Sequence, residues 1–259
     1  MAPPKYRELA DELNEAIKAE ATVLGVQLVN GAKLPTEPEL AEHFHASRGT
    51  VRQALAGLAA EGLIETRGRA GTFVRRLPML AYNVDAEQPH RREQDTDGVG
   101  DAWSAVVKAA GREPSQDFKF RIEPAAAALA ARLGVEEGEL VVVRELMRFV
   151  NEMPWCTQTT YYPYEIAKAC GIDTPGDIAE GTVRRMAAHG YAETRVEHEI
   201  SSRPATDDER NRFDLAPGVS ILLYRRVGFA GSRITRVTLE ILPADRNVIT
   251  TVTGNGEEE

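Results

Sequence analysis

Thr36-Glu37-Pro38-Glu39-Leu40-Ala41-Glu42-His43-Phe44-His45-Ala46-Ser47-Arg48-Gly49-Thr50-Val51-Arg52-Gln53-Ala54-Leu55, followed by Gly62-Leu63-Ile64 and Gly71-Thr72-Phe73-Val74, is the stretch that decides the fold. It reads as two short helices and a hairpin. Thr36 and Glu39 have capping-box spacing, and Pro38 is tolerated in a first helical turn because the N–H it lacks has no intrahelical partner there. Leu40, Ala41 and Phe44 then share one inward face. Ser47 caps the second helix, in which Val51, Ala54, Leu55 and Leu58 recur at the 3.6-residue period and must face a core. The opposite face carries Arg48, Gly49, Arg52 and Gln53, and the two arginines lie one turn apart, pointing the same way. Arginine is the usual bidentate partner of guanine O6 and N7 in the major groove, and each such contact gives roughly 1–3 kcal/mol of base discrimination. Taken alone, such a face is more often simply solvated; its surroundings argue otherwise.

Leu63–Arg67 and Thr72–Arg76 are short β-prone runs separated by Gly68-Arg69-Ala70-Gly71, the arrangement of a hairpin with a small basic tip. A tip of this kind suits a minor groove or a phosphate strand. Between Ser47 and Arg76, six arginines (48, 52, 67, 69, 75 and 76) stand against two glutamates (61 and 65), a phosphate-binding footprint. Upstream, Tyr6, Leu9, Ala10, Leu13 and Ile17 form an apolar stripe on a first helix that supports the other two.

These residues resemble the winged-helix domain of the GntR family of bacterial transcription factors. The matching features are Tyr6, Leu34-Pro35-Thr36-Glu37, the Ser47-Arg48-x-Thr50-Val51-Arg52-x-Ala54-Leu55 helix, Glu61-Gly62-Leu63-Ile64 and Gly71-Thr72-Phe73-Val74. The resemblance covers about the first 76 residues. It implies that Arg48, Thr50 and Arg52 contact bases or adjacent phosphates, that Ser47 contacts a phosphate, and that the wing tip reaches the minor groove. The DNA-reading set is therefore Thr36, Glu37, Ser47, Arg48, Gly49, Thr50, Arg52, Gln53, Arg67, Gly68, Arg69 and Thr72. Three departures stand out. Pro38 replaces an arginine common in the family, the tip glycine falls at Gly68 with Arg69 in its usual place, and Ala21–Lys33 is a few residues longer than the family norm.

With 259 residues the chain can bury a sizeable core in one or two domains. Its net charge of −9 is unevenly placed: residues 1–78 hold ten Lys/Arg and ten Asp/Glu, the remainder 21 and 30. An acidic protein can still bind DNA where its positive charge is local, with the rest of the field weakening non-specific binding. Cys156 and Cys170 are the only cysteines, without a CxxC or a nearby His pair, so neither a zinc site nor a disulfide framework is indicated. No metal or cofactor is expected. No apolar run approaches the length of a membrane span and the N-terminus lacks a signal-peptide core, so a cytoplasmic protein with no membrane partner is expected.

Composition divides the chain into a winged helix-turn-helix domain (1–76), a polar linker (77–100), a second domain (101–252) and a short tail (253–259). In the second domain the pattern gives a helix over Pro124–Arg132, strands over Glu139–Val150 and Trp155–Tyr162, and a helix over Ile178–His189. A strand over Glu193–Ser202, a helix over Thr206–Phe213 with a second capping box, and strands over Ile221–Phe229 and Ile234–Leu242 follow. The two closely spaced strand pairs are antiparallel hairpins, so the fold class is α+β. This order, with Arg148 leading into Asn151-Glu152-Met153-Pro154 and the ending Leu242-Pro243-Ala244-Asp245-Arg246, resembles the UTRA effector-binding domain of the HutC subfamily of GntR regulators, whose fold is shared with chorismate lyase. The resemblance implies a small-molecule pocket on one face of an antiparallel sheet, dimerisation through that sheet and repression relieved by ligand. Candidates for the pocket are Arg148, Tyr161, Tyr162, Arg236 and Glu240. Sugar-phosphate sensors of the subfamily usually carry Arg-Leu-Arg where this chain has Leu146-Met147-Arg148, and a glutamate near the position of Arg236. A carboxylate or more apolar effector fits better. The expected protein is a ligand-responsive repressor, binding double-stranded DNA at a palindromic operator as a homodimer. The alternative is an enzyme of chorismate-lyase-like fold fused to a DNA-binding domain, against which stand five scattered histidines and the lack of a recognisable nucleophile turn.

Overall fold

The computed structural model describes residues 3–75, 77, 79–84, 102–176, 178 and 180–251. By compactness the chain falls into two units, Met1–Met79 with Pro204–Ser220, and Leu80–Arg203 with Ile221–Glu259.

In the first unit, α1 spans Lys5–Lys18, α2 Glu37–His43 and α3 Arg48–Ala60. A small hairpin of β1 (Thr22–Val23) and β2 (Val26–Gln27) accounts for the extra length before Lys33, and β3 (Ile64–Thr66) pairs with β4 (Thr72–Val74) as the wing. The apolar stripe of α1 delivers Leu9, Leu13 and Ile17 to one core with Leu40 of α2, Val51, Ala54, Leu55 and Leu58 of α3, and Ile64 and Val74 of the wing. Tyr6 and Ala10 lie half-buried at its margin. Both caps form as the spacing dictates. The Glu39 carboxylate accepts from the Thr36 N–H and hydroxyl, each at 2.7 Å, and Ser47 Oγ accepts from the Thr50 N–H at 3.1 Å. Each cap satisfies a donor that the first helical turn leaves unpaired.

The second unit is built on one six-stranded sheet ordered β6–β7–β8–β11–β10–β9. Its elements begin with β5 (Leu80–Asn83), α4 (Ala102–Ala109), β6 (Pro114–Pro124), α5 (Ala127–Leu133), β7 (Leu140–Val150) and β8 (Met153–Pro163). Then come α6 (Tyr164–Ala169), α7 (Thr182–Ala188), β9 (Arg195–Pro204), β10 (Ser220–Ala230), β11 (Arg233–Pro243) and β12 (Asn247–Thr250). Helix α8 (Asp207–Phe213), between β9 and β10, groups with the first unit. The hairpins β7/β8 and β10/β11 are antiparallel, as their short connections require, and β8 pairs with β11 to join them. Helices cover both faces. Val141, Val143, Val237 and Tyr161 pack on one face with Ala130 and Leu133 of α5, while Val142 and Tyr162 on the other meet Ile166, Ala167, Cys170 and Met186. Trp103 and Val107 of α4 and Leu80 of β5 share a further cluster with Tyr224 and Leu242.

Several elements differ from the sequence pattern. Pro124 ends β6 rather than opening a helix, and α5 starts at Ala127. β6 is an edge strand with proline at each end, which edge strands tolerate because an outward-facing N–H can be dispensed with. The helix expected from Ile178 begins at Thr182, after Gly181 with φ +80°. The stretch expected to be linker contains β5, which pairs in parallel with β12. Residues 85–100 of that linker, the 253–259 tail and Arg76 lie outside the described residues.

Candidate functional site

Helix α3 presents Arg48, Gly49, Arg52 and Gln53 on its exposed side, while Val51, Ala54, Leu55 and Leu58 are buried on the other. The Ser47 cap also places its hydroxyl 2.9 Å from that of Thr50, so two hydroxyls sit at the helix N-terminus, where unpaired N–H groups and the helix dipole favour a phosphate. Arg52 holds the Glu37 carboxylate in a fork, Nη2 to Oε2 at 2.9 Å and Nε to Oε1 at 3.3 Å, with the arginine side chain 72% exposed. This clamp joins α2 to α3. The hydrogen bond from Arg52, with the charges of Arg52 and Arg48, holds the Glu37 carboxyl below its usual range; the same bond raises Arg52.

In the wing, Gly68–Ala70 forms a single 3₁₀ turn, closed by the Arg67 N–H on the Gly71 carbonyl at 2.8 Å. Gly68 takes φ +50°, which leaves Arg69 exposed at the tip. Arg67 lies 4.9 Å over the Phe73 ring and is bound to Glu65 at 3.2 Å, so its charge is partly neutralised within the wing. Thr66 and Thr72 pair across the strands, hydroxyl to hydroxyl at 3.2 Å. The twelve residues read from the sequence thus occupy the cap of α2, the outer face of α3 and the wing of one compact unit.

In the second unit the five effector candidates separate. Tyr161 and Tyr162 are adjacent on β8, and successive strand residues point to opposite faces. Tyr161 packs with Val143 and Val237 on the α5 side, and its burial raises the phenol pKa. It does not share a face with the others. Tyr162 is buried among α6 and α7 and donates to Thr182 Oγ1 at 2.9 Å, as a core residue with a satisfied hydroxyl. Arg236 is buried and grips Glu193, Nε to Oε1 at 2.7 Å and Nη2 to Oε2 at 3.0 Å, while Nη1 donates to Thr238 at 3.0 Å. Burial works against that charge, and Glu193 more than restores it, raising the Arg236 pKa. Its fork is a structural clasp rather than an open anion receptor. Gly228 makes the clasp possible: a Cβ there would stand 2.0 Å from Glu193 Oε1.

Arg148 and Glu240 remain, and the register places them on one face. Arg148 is buried beneath Trp103, 4.8 Å from the ring, and donates from Nη2 to Gln158 Oε1 at 2.9 Å. Gln158 is directly opposite Glu240, which is ion-paired with Arg226 and accepts from the Tyr82 hydroxyl at 2.9 Å. Trp103, Gln158, Arg226 and Tyr82, which no sequence motif singles out, contact Arg148 and Glu240 here. Gln158 and Arg226 could have been found by extending the strand alternation from Arg148 and Glu240. Tyr82 belongs to the β-prone run Leu80-Ala81-Tyr82-Asn83, read as linker.

Residues 5–74 match the bacterial regulatory proteins of the gntR family, and residues 109–247 match the UTRA domain. An uncharacterised HTH-type transcriptional regulator of Streptomyces coelicolor is 32% identical over 234 residues, covering 87% of this chain and 84% of the relative. The chain belongs to the GntR family of transcriptional regulators. The chain pairs a GntR DNA-binding head with a UTRA domain. The HTH-type transcriptional repressor NagR of Bacillus subtilis is 26% identical over 234 residues, 87% of this chain and 84% of NagR. The fold matches a crystal structure of a GntR-family regulator with TM-score 0.66 and 23% identity over 98% of both chains. It also matches PhnF from Mycobacterium smegmatis with TM-score 0.55 and 23% identity, over 96% of this chain and all of that one. This GntR-family chain is accordingly a DNA-binding transcriptional regulator with a UTRA effector domain, and its relatives are regulators rather than enzymes. Among the described residues no helix is long and apolar enough to cross a membrane.

Proposed function

We propose that the protein represses transcription as a homodimer on a palindromic operator, reading each half-site with Arg48, Thr50 and Arg52 of α3, and that a small carboxylate or apolar metabolite releases it. One observation carries the DNA half of this reading: two exposed arginines on a capped helix, one with its fork already oriented by Glu37. Arg52 matches guanine O6 and N7, and Glu37 is the residue type that accepts from cytosine N4, so the clamped pair suits a G·C-containing step. Ser47, Thr36 and Thr72 supply hydroxyls, and Arg67 and Arg69 supply charge, to the flanking phosphates. That NagR, a relative over most of its length, is a repressor supports the sign of regulation.

The effector reading centres on Arg148, with Leu146 beside it on the same face, Gln158 bonded to it, and Glu240 beyond Gln158 with its partners Arg226 and Tyr82. With Arg226 already paired to Glu240, Arg148 and a neighbouring leucine suit a carboxylate with an apolar body better than a phosphate gripped by two arginines. Ligand acts only through different affinities for the DNA-competent and DNA-incompetent states.

Selection from a randomised duplex pool with the full-length protein, followed by footprinting and sedimentation of the complex, tests the assembly. A two-fold symmetric protected site bound by two chains is expected. An asymmetric site, or a single chain per duplex, overturns it.

A further inference from the structure

We propose that Lys33, which no motif singles out, is a phosphate contact of the wing. The inference rests on the DNA-binding reading above and adds a residue to it.

Residues 31–34 run along the free edge of β4. The Gly31 N–H donates to the Val74 carbonyl, the Val74 N–H to the Ala32 carbonyl and the Leu34 N–H to the Thr72 carbonyl, each at 2.8 Å, and Lys33 bridges Phe73. The wing is therefore three-stranded, and Lys33 is pinned by backbone bonds on both sides. Only the lysine side chain remains to be ordered when DNA arrives. In register, Lys33, Phe73 and Glu65 form a row across the wing, and the inward pair Ile64 and Val74 is buried beneath it. Lys33 thus stands on the outer surface.

Its side chain does not extend freely. The stem crosses Gly71, where a Cβ would meet Cε at 2.7 Å and Nζ at 3.5 Å. Gly71 also takes φ +111°, a conformation that side chains rarely adopt. This glycine both turns the chain and leaves room for the lysine stem to lie toward the Gly68–Gly71 turn. The acid in the row, Glu65, is held by Arg67, and among the described residues no carboxylate forms an ion pair with Lys33. Arg52 and Arg67 each carry an internal carboxylate, whereas Lys33 brings an uncompensated charge on a rigid edge at Gly71, the end of the turn whose Arg69 is exposed. A compact ammonium in that position binds a phosphate as a point charge and carries no sequence information.

A lysine stem packed across a glycine can also serve as mere cover for Phe73, so the test must separate charge from packing. Lys33→Met keeps the stem and removes the charge; Lys33→Arg keeps the charge. Affinity is measured against salt for a duplex selected by the wild-type protein and for an unrelated 30-base-pair duplex, alongside thermal melting. Each phosphate contact contributes about 0.9 to the slope of log affinity against log salt. In a dimer Lys33→Met is expected to lower the slope by roughly 1.8 and the affinity at 0.15 M salt by roughly 30-fold, equally on both duplexes and without a change in melting. Lys33→Arg is expected to retain the wild-type slope. A wild-type slope in Lys33→Met overturns the proposal, as does an equal loss of affinity in both variants with the slope unchanged, which identifies packing. If the wild-type protein selects no duplex, the DNA-binding reading itself fails; if it selects one and only the slope prediction fails, Lys33 alone is misassigned.

Discussion

A guanidinium that reads a base loses rotamer freedom when it docks, and Arg52 has given up part of that freedom already by gripping Glu37 across the helix-turn-helix. The pair is exposed, so it contributes little to folding, and its value lies in orientation. Arg52→Ala is expected to leave thermal melting within about 0.5 kcal/mol of wild type, the usual range for a surface substitution. It should cost roughly 1–3 kcal/mol of operator binding per half-site through the lost guanine contact, which a mobility-shift titration on the selected duplex measures. Unchanged affinity would falsify the recognition-helix assignment. Glu37→Gln should lower the melting temperature no further, yet relax the base preference at one position of the selected site, as repeating the selection with the variant reveals. Because Glu37 has a lowered pKa, its clamp is complete above the ordinary carboxylate range and is lost only as pH falls through the lowered value, so it stays intact at neutral pH. The two thiols offer a second check at this scale. Cys156 and Cys170 are both buried, and desolvation raises the Cys170 pKa against the opposing charge of Arg185. Neither is expected to react with a disulfide reagent at about pH 8 until denaturant is added, since the thiolate is the nucleophile; rapid labelling of the native protein would contradict this packing.

Elements whose hydrogen bonds and apolar periods are local were legible in the chain itself. The caps at Thr36 and Ser47, the inward face Val51-Ala54-Leu55-Leu58 and the β7/β8 and β10/β11 hairpins all follow from residues within a turn or a short loop of each other. What was not legible depends on distant partners. β5 becomes a strand only because β12, far along the chain, offers an edge, and β6 alternates Phe118, Phe120 and Ile122 between polar residues but lies at the sheet margin behind a proline that resembles a helix start. The opposed directions of Tyr161 and Tyr162 were readable from strand parity alone. The engagement of Arg236 was not, because Glu193 lies in the loop before β9, distant in sequence, and reaches it only through the space left at Gly228. That clasp makes an element-scale prediction. Removing one partner of a buried ion pair leaves an uncompensated charge and costs about 3–5 kcal/mol. Glu193→Ala should lose that much in a denaturant titration, and Gly228→Ala should also destabilise, because its methyl group displaces the carboxylate. Wild-type stability in both variants would mean that the Arg236 fork is not held in this way.

Charge and stability at the level of the whole chain set how the effector can be found. The net charge of −9 resides beyond residue 78, so the basic surface of the first unit acts within an acidic protein, and affinity for unrelated DNA should be weak and steeply salt-dependent. A ligand that binds the folded state alone adds RT ln(1 + [L]/Kd), about 2.7 kcal/mol at a hundredfold excess over Kd. For a cooperative unit of 150–250 residues, each kcal/mol moves the melting temperature by about 2–4 °C, so an effector at that excess should raise it by roughly 5–10 °C. Screening small carboxylates by thermal shift therefore reports binding even before an operator has been identified. Arg148→Ala should abolish the shift for the compound that stabilises the wild type. The same variant should retain wild-type affinity for the selected duplex and lose the change in that affinity caused by the compound, because coupling between two ligands is reciprocal and vanishes when one no longer binds. Arg148 is buried beneath Trp103, so the variant's own melting temperature must be measured first and the shift read relative to it. An undiminished shift in Arg148→Ala, with release from DNA intact, would move the effector site away from this face of the sheet and leave the DNA-reading face of α3 untouched.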